Sequence, residues 1–123
     1  MSVLGPSFAQ QVKQSRGLYK VLKPIADRYA QFAGYRQVGL MVEDLQIEES
    51  DVVQKALGRL SERQAYDRAF RLRQASMCSI AHADLPKAQW MKPEEDVRYL
   101  KDHVLDVEAE NAERTKYDVA TRK

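Results

Sequence analysis

YDRAFRLRQASMCSIAHADLPKAQWMKPEEDVRYL, Tyr66–Leu100, is the stretch from which the rest of the chain is read. It joins a long amphipathic helical pattern to a corner bounded by Pro86 and Pro93, which carries the single tryptophan, Trp90, and then opens a second, charged helix. Just upstream, Ser61-Glu62-Arg63-Gln64 has the form of a capping box: a serine at N-cap, a glutamine three residues on, and a helix starting at Glu62. Helical spacing puts Tyr66, Phe70, Met77 and Ile80 on one face, read here as the inward one. Pro86 disfavours helix at the residue before it, so the expected end is near Leu85. Proline at a first helical position with acids behind it favours a start, which predicts the last helix from Pro93-Glu94-Glu95-Asp96. Its inward residues are Val97, Leu100, Val104 and Val107 (or Leu105), and Thr115 to Lys123 are expected to fray.

Before this stretch, Val53, Leu57 and Leu60 share a face of a helix running from about Asp51 to Leu60. Gly34–Leu45 has two glycines and no clean period, so it reads as an irregular connector with room for one short helical turn, packed through Val38, Leu40, Met41 and Val42. An amphipathic arm begins at Phe8. Pro24 predicts a break at Leu22–Lys23, with a second segment from Pro24 to Ala33 that stops at Gly34. A lead with Gly5-Pro6 as its turn precedes the arm. No stretch alternates with period two. The expected fold is all-α and small: arm 1–35, connector 36–50, central helices 51–85, corner 86–93 and C-terminal helix 94–120, in one domain of 123 residues.

With 44% hydrophobic and 31% charged residues the composition is that of an ordinary helical protein, somewhat rich in charge. The net charge of +2 names no partner, but its distribution does. Lys13, Arg16, Lys20, Lys23, Arg28 and Arg36 face a single acid, Asp27, before Glu43, a net of +5; the remainder sums to −3. A basic arm of this kind suits lipid phosphates, an acidic protein or nucleic acid. With Tyr19, Tyr29, Phe32 and Tyr35 interleaved, it suits a membrane surface and a solvated core helix about equally. Cys78 stands alone, so no internal disulfide is expected. No apolar run approaches the roughly 18 residues of a membrane span, and no secretory signal is recognised. The N-terminus has the general look of a mitochondrial import segment, expected to be retained because it is not rich in arginine and serine.

Catalytic constellations are not found. Cys78 and His82 are four apart on one helical face, but zinc needs three or four ligands and His103 is the one further imidazole, so no metal is expected. There is no nucleophile elbow, and the five glycines are scattered, which leaves no phosphate loop. Lys55, Arg59, Arg63, Arg68, Arg71 and Arg73 against Glu62 and Asp67 give a basic helical segment of +4; Glu94–Glu113 carries −6. The two are expected to pair within the molecule or with neighbours. A free-standing interaction or nucleic-acid-binding protein using Arg59–Arg73 is the alternative, disfavoured because the nearby acids repel phosphate.

Three stretches, AGYRQVGLMVEDL (Ala33–Leu45), ALGRLSERQAYDRAFRLRQA (Ala56–Ala75) and LPKAQWMKPEEDVRYLKDHVLDVEAE (Leu85–Glu110), together resemble the matrix-side subunit 7 family of the mitochondrial cytochrome b–c1 complex, in its fungal form. LPKAQW followed by EEDxxYL is the specific part. The resemblance implies a non-catalytic, cofactor-free accessory subunit of respiratory complex III, ubiquinol–cytochrome c reductase, needed for its assembly. It implies a peripheral position on the matrix side of the inner membrane, beside cytochrome b, the core subunits and other small subunits. The family is also known as ubiquinone-binding, yet no residue here is identified as a quinone ligand. Expected contacts to partner or anionic lipid are Lys13, Arg16, Lys20, Lys23, Arg28, Tyr35 and Arg36; Pro86, Trp90 and Pro93 form the structural corner. No nucleic acid is expected as a partner.

Overall fold

The computed structural model describes residues 8–121; the Gly5-Pro6 turn and the last two residues of the expected frayed end lie outside them. Among the described residues the chain is all helix and turn. The α-helices are α1 (Ala9–Gln14), α2 (Arg16–Phe32), α3 (Asp51–Leu57), α4 (Glu62–Ala81) and α5 (Lys101–Thr121), with 3-10 turns at Tyr35–Val38, Val42–Leu45 and Lys87–Gln89.

The apolar core is short and sits where α3 lies on α5. Val53, Ala56, Leu100, Val104 and Val107 are fully buried, with Val52, Leu57, Leu60 and Tyr99 packed around them. The spacing explains the pairing: Val53, Ala56, Leu57 and Leu60 recur at helical intervals, as do Leu100, Val104 and Val107. Each larger side chain buried there contributes about 1.5–3 kcal/mol. Four valines and leucines of this kind are few for a chain of 123 residues, so other forces must fix the remaining elements.

Several helix limits differ from those expected. The break in the arm falls at Ser15, whose backbone is extended, rather than at Leu22–Lys23. The Ser15 carbonyl accepts the Tyr19 N–H at 2.9 Å and so opens α2, while its hydroxyl caps no amide. Pro24 is carried inside α2, costing it one ladder bond. The stop at Gly34 holds: its φ of 74° is left-handed, the conformation that glycine adopts freely. The capping box at Ser61 and Gln64 forms as read. α4 ends at Ala81 rather than near Leu85, because His82 turns left-handed and the His82 and Ala83 N–H groups close onto the Ser79 and Cys78 carbonyls, a Schellman pair.

The largest differences concern faces and the last helix. Tyr66, Phe70, Met77 and Ile80, expected inward, all point to solvent; the buried side chain of α4 is Arg68. Pro93-Glu94-Glu95-Asp96 forms a turn, and α5 begins at Lys101, so Val97 lies outside the helix and is exposed. At its other end α5 stays helical to Thr121, beyond the expected fraying point at Thr115. The cause of the late start is Asp96, whose carboxylate is drawn across to the connector instead of serving a helix of its own.

Candidate functional site

The connector, which has no hydrophobic period, holds the body together by charge. Its second 3-10 turn, Val42–Leu45, carries Glu43 and Asp44, both buried. Asp44 accepts Nε and Nη2 of Arg71 at 2.6 and 2.9 Å, Nη1 of Arg68 at 3.2 Å, the Tyr99 hydroxyl at 2.6 Å and the Met41 N–H at 2.9 Å. Arg68 also donates to Tyr99 Oη at 2.8 Å, to the Glu43 carbonyl at 3.1 Å and to Glu48 at 2.7 Å. Burial alone would raise the Asp44 carboxyl; hydrogen bonds from Arg71, Tyr99 and Met41 outweigh it and hold the group below the usual carboxylate range. Burial, followed by the bond to Asp44, pushes the Tyr99 phenol up. No buried side-chain nitrogen or oxygen among the described residues lacks a partner, the condition under which a charged interior is tolerated.

Glu43 serves α5. Its carboxylate accepts the Leu100 N–H and, at 3.0 Å, the Lys101 N–H, so the negative group that a helix N-terminus favours comes from 57 residues upstream. Asp96 returns the tie. It accepts the Tyr35 hydroxyl at 2.7 Å, Arg36 Nε and Nη2 at 3.0 and 2.8 Å, and the Val42 N–H at 2.9 Å. Burial raises Asp96 but these donors, led by Val42, keep it below its ordinary value. The corner closes on the same connector: Met91 N–H donates to the Arg36 carbonyl at 3.0 Å and Leu85 N–H to the Gln37 carbonyl at 3.1 Å. Within the corner, the half-buried Trp90 donates its indole N–H to the Leu85 carbonyl at 2.7 Å. Pro86 and Pro93 flank it, both exposed.

These ties divide the expected contact residues. Tyr35 is buried and Arg36 half-buried, and both bind Asp96 within the chain. Lys13 on α1, and Arg16, Lys20, Lys23 and Arg28 on α2, are exposed. α2 buries no residue at all. At 100° per residue, Leu18, Val21, Leu22, Ile25, Tyr29 and Phe32 fall on one side, all exposed, and Arg16, Lys20 and Lys23 on the other, with Arg28 at the border. Lys23 Nζ lies 5.9 Å over the Tyr19 ring. α2 therefore adds nothing to the core of its own chain.

The basic segment is largely neutralised in place: Arg59 pairs with Glu110 at 2.6 Å, Arg63 lies 3.9 Å from Asp67, and Arg68 and Arg71 are held by Asp44. Lys55 and Arg73 of the same segment are exposed and take no part in these pairs. Pairing within the molecule does occur, but mainly to connector acids rather than to the acidic helix. Cys78 is half-buried and His82 forms the left-handed helix end. Among the described residues no group of three or more His, Cys, Asp or Glu side chains is arranged to hold a metal, and no helix is long and apolar enough to cross a membrane. Between α3 and α4 an open groove of about 290 Å³ is lined by Leu57, Leu60, Ala65 and Leu72, with the already paired Arg68 and Glu48 at its edge.

Sequence reasoning missed Glu43, Asp44, Asp96 and Tyr99. Their signal is weak: acids in an aperiodic segment and a tyrosine beside a turn resemble solvated surface until the partners across the fold are known.

Residues 16–115 match the family model described as the ubiquinol–cytochrome c reductase complex 14 kDa subunit. The chain is similar to cytochrome b–c1 complex subunit 7 of Neurospora crassa, 45% identical over 92% of each chain. It is also similar to mitochondrial cytochrome b–c1 complex subunit 7 of Saccharomyces cerevisiae, 37% identical over 87% of this chain and 84% of that one. The resemblance reaches the subunit 7 of Pongo abelii, 39% identical over 80% of this chain and 87% of that one.

Proposed function

The chain belongs to the family of 14 kDa subunits of the ubiquinol–cytochrome c reductase complex, and on that premise we propose that it acts as a scaffold with no active site of its own. It is an accessory subunit of complex III of the mitochondrial inner membrane. In this reading it lies peripherally on the matrix side, beside cytochrome b and the core subunits, and supports assembly and stability while electrons pass from ubiquinol to cytochrome c elsewhere in the complex.

The observation that carries the reading is α2: a 17-residue amphipathic helix that contributes no buried residue to its own chain. Such a face marks an interaction surface. Its apolar side suits the acyl boundary or a membrane subunit, and Lys13, Arg16, Lys20, Lys23 and Arg28 suit acidic side chains or anionic lipid headgroups. Near an anionic surface each basic residue contributes on the order of 1 kcal/mol. The buried ion cluster does a separate job, fixing α4 and α5 in one arrangement so that the body presents a constant shape. Neither role requires the chain to bind quinone or haem.

Affinity capture of the tagged chain from gently solubilised mitochondrial membranes, read by haem absorbance and mass spectrometry, tests this. Cytochrome b, cytochrome c1 and two large core subunits are expected with the chain, and a variant carrying Lys20→Glu and Lys23→Glu should recover markedly less of them. Recovery of nucleic acid, or of nothing that bears haem, defeats the proposal.

A further inference from the structure

α4 turns its large apolar residues away from the body. Tyr66 is 72% exposed, Phe70 58%, Met77 62% and Ile80 75%. With Arg73 between them they recur at steps of four, three, four and three, the heptad spacing of a helix that packs along another helix. The helix is unbroken from Glu62 to Ala81, so the stripe is continuous. It runs about 21 Å at 1.5 Å of rise per residue. On the far side Arg68 and Arg71 are anchored by Asp44, which fixes how the stripe faces outward. Arg73, at its centre, is exposed and takes no part in the ion pairs of the described residues.

We infer that this stripe receives an amphipathic helix from a different subunit, with a carboxylate set opposite Arg73. The inference rests on the chain's place in a multi-subunit complex. A second copy of the chain is a poor occupant: paired in register, either parallel or antiparallel about the stripe's centre, it sets Arg73 against its own counterpart, and like charges at a central layer oppose pairing. The chain's own α2 repeats the spacing with Leu18, Leu22, Ile25, Tyr29 and Phe32, yet puts Ile25 at the matching centre, where a guanidinium finds no acceptor. A lipid surface fits no better. Interfacial helices keep cations on the polar side, whereas Arg73 would lie at the deepest line of the buried face. A foreign helix with an Asp or Glu at the central layer satisfies both the apolar spacing and the charge.

Photo-crosslinking in the assembled complex tests the inference, with p-benzoylphenylalanine in place of Phe70 and the complex isolated on a native gel. The expected adduct is with another subunit, in a segment whose apolar residues repeat at heptad spacing around an acidic residue. Adding Arg73→Glu should abolish the adduct and Arg73→Lys should retain it; both leave the Asp44-facing side of α4 intact, which an unchanged circular dichroism spectrum checks. Adducts confined to lipid or to a second copy, or no adduct, from a chain that migrates with the complex overturn this inference and leave the scaffold reading standing. A chain that does not migrate with the complex overturns both.

Discussion

Asp44 and Arg71 meet through two parallel hydrogen bonds, at 2.6 and 2.9 Å, with the carboxylate fully shielded from water. The pair joins an aperiodic connector to the middle of α4, a junction that apolar contacts would ordinarily make.

Removing the acid leaves two shielded guanidiniums, Arg68 and Arg71, without their shared counter-charge. Breaking a buried ion pair from one side costs about 3–5 kcal/mol. Asp44→Ala is therefore expected to lower unfolding free energy by roughly that amount in chemical denaturation, and Asp44→Asn, which keeps an acceptor, by less. A loss below about 1 kcal/mol for the alanine variant would mean that Glu48 alone compensates the arginines.

Stability should vary with pH as a plateau with two falling edges. Asp44 and Asp96 are held below the ordinary carboxylate value, so the stability they contribute is present above pH ~4 and is lost as pH falls through their depressed values. Tyr35 and Tyr99 are raised, so their contribution is present below pH ~10 and is lost as pH rises through the raised values. Melting temperature against pH should show both edges, and Asp44→Asn should flatten the acidic one. An acid edge unchanged in that variant would assign it to other carboxyls.

Glu43→Ala removes the acceptor for the buried Leu100 amide and the part-buried Lys101 amide at the start of α5. An unsatisfied buried donor costs about 1–3 kcal/mol. Amide hydrogen exchange at Leu100 and Lys101 should accelerate while the middle of α4 keeps its protection. Equal acceleration throughout would show that Glu43 supports the whole body and not one helix end.

Trp90→Ala opens the corner by deleting the indole bond to the Leu85 carbonyl. The expected result is a lower amount of assembled complex with unchanged turnover per complex, measured by native gel and by ubiquinol–cytochrome c activity normalised to haem. Normal levels of complex in this variant would reject a structural role for the corner.

Local signals in the sequence were legible and long-range ones were not. The capping box needs three neighbouring residues, and Ser61 with Gln64 forms it as read. Gly34 stops the arm because one backbone angle requires it. Tyr66, Phe70, Met77 and Ile80 were correctly grouped on one face, but periodicity says which residues share a face and not whether the chain's own core or another body lies against it. The helix start at Pro93 failed for the complementary reason. Its three acids match the local rule, and Asp96 is instead recruited by Tyr35, Arg36 and Val42, some 60 residues away. The arm's basic residues were grouped by charge and are exposed, whereas Tyr35 and Arg36, close to them in sequence, are tied into the interior by Asp96.

The open apolar stripes of α2 and α4 also bear on how many copies a cell can keep. A surplus chain, made faster than docking places arise, carries two long greasy surfaces into water, where they promote aggregation and capture by chaperones and proteases. On the proposed scaffold reading, its abundance would be set by how many docking places exist and not by how fast it is synthesised, and the features that suit the chain for assembly would also make an unassembled copy short-lived.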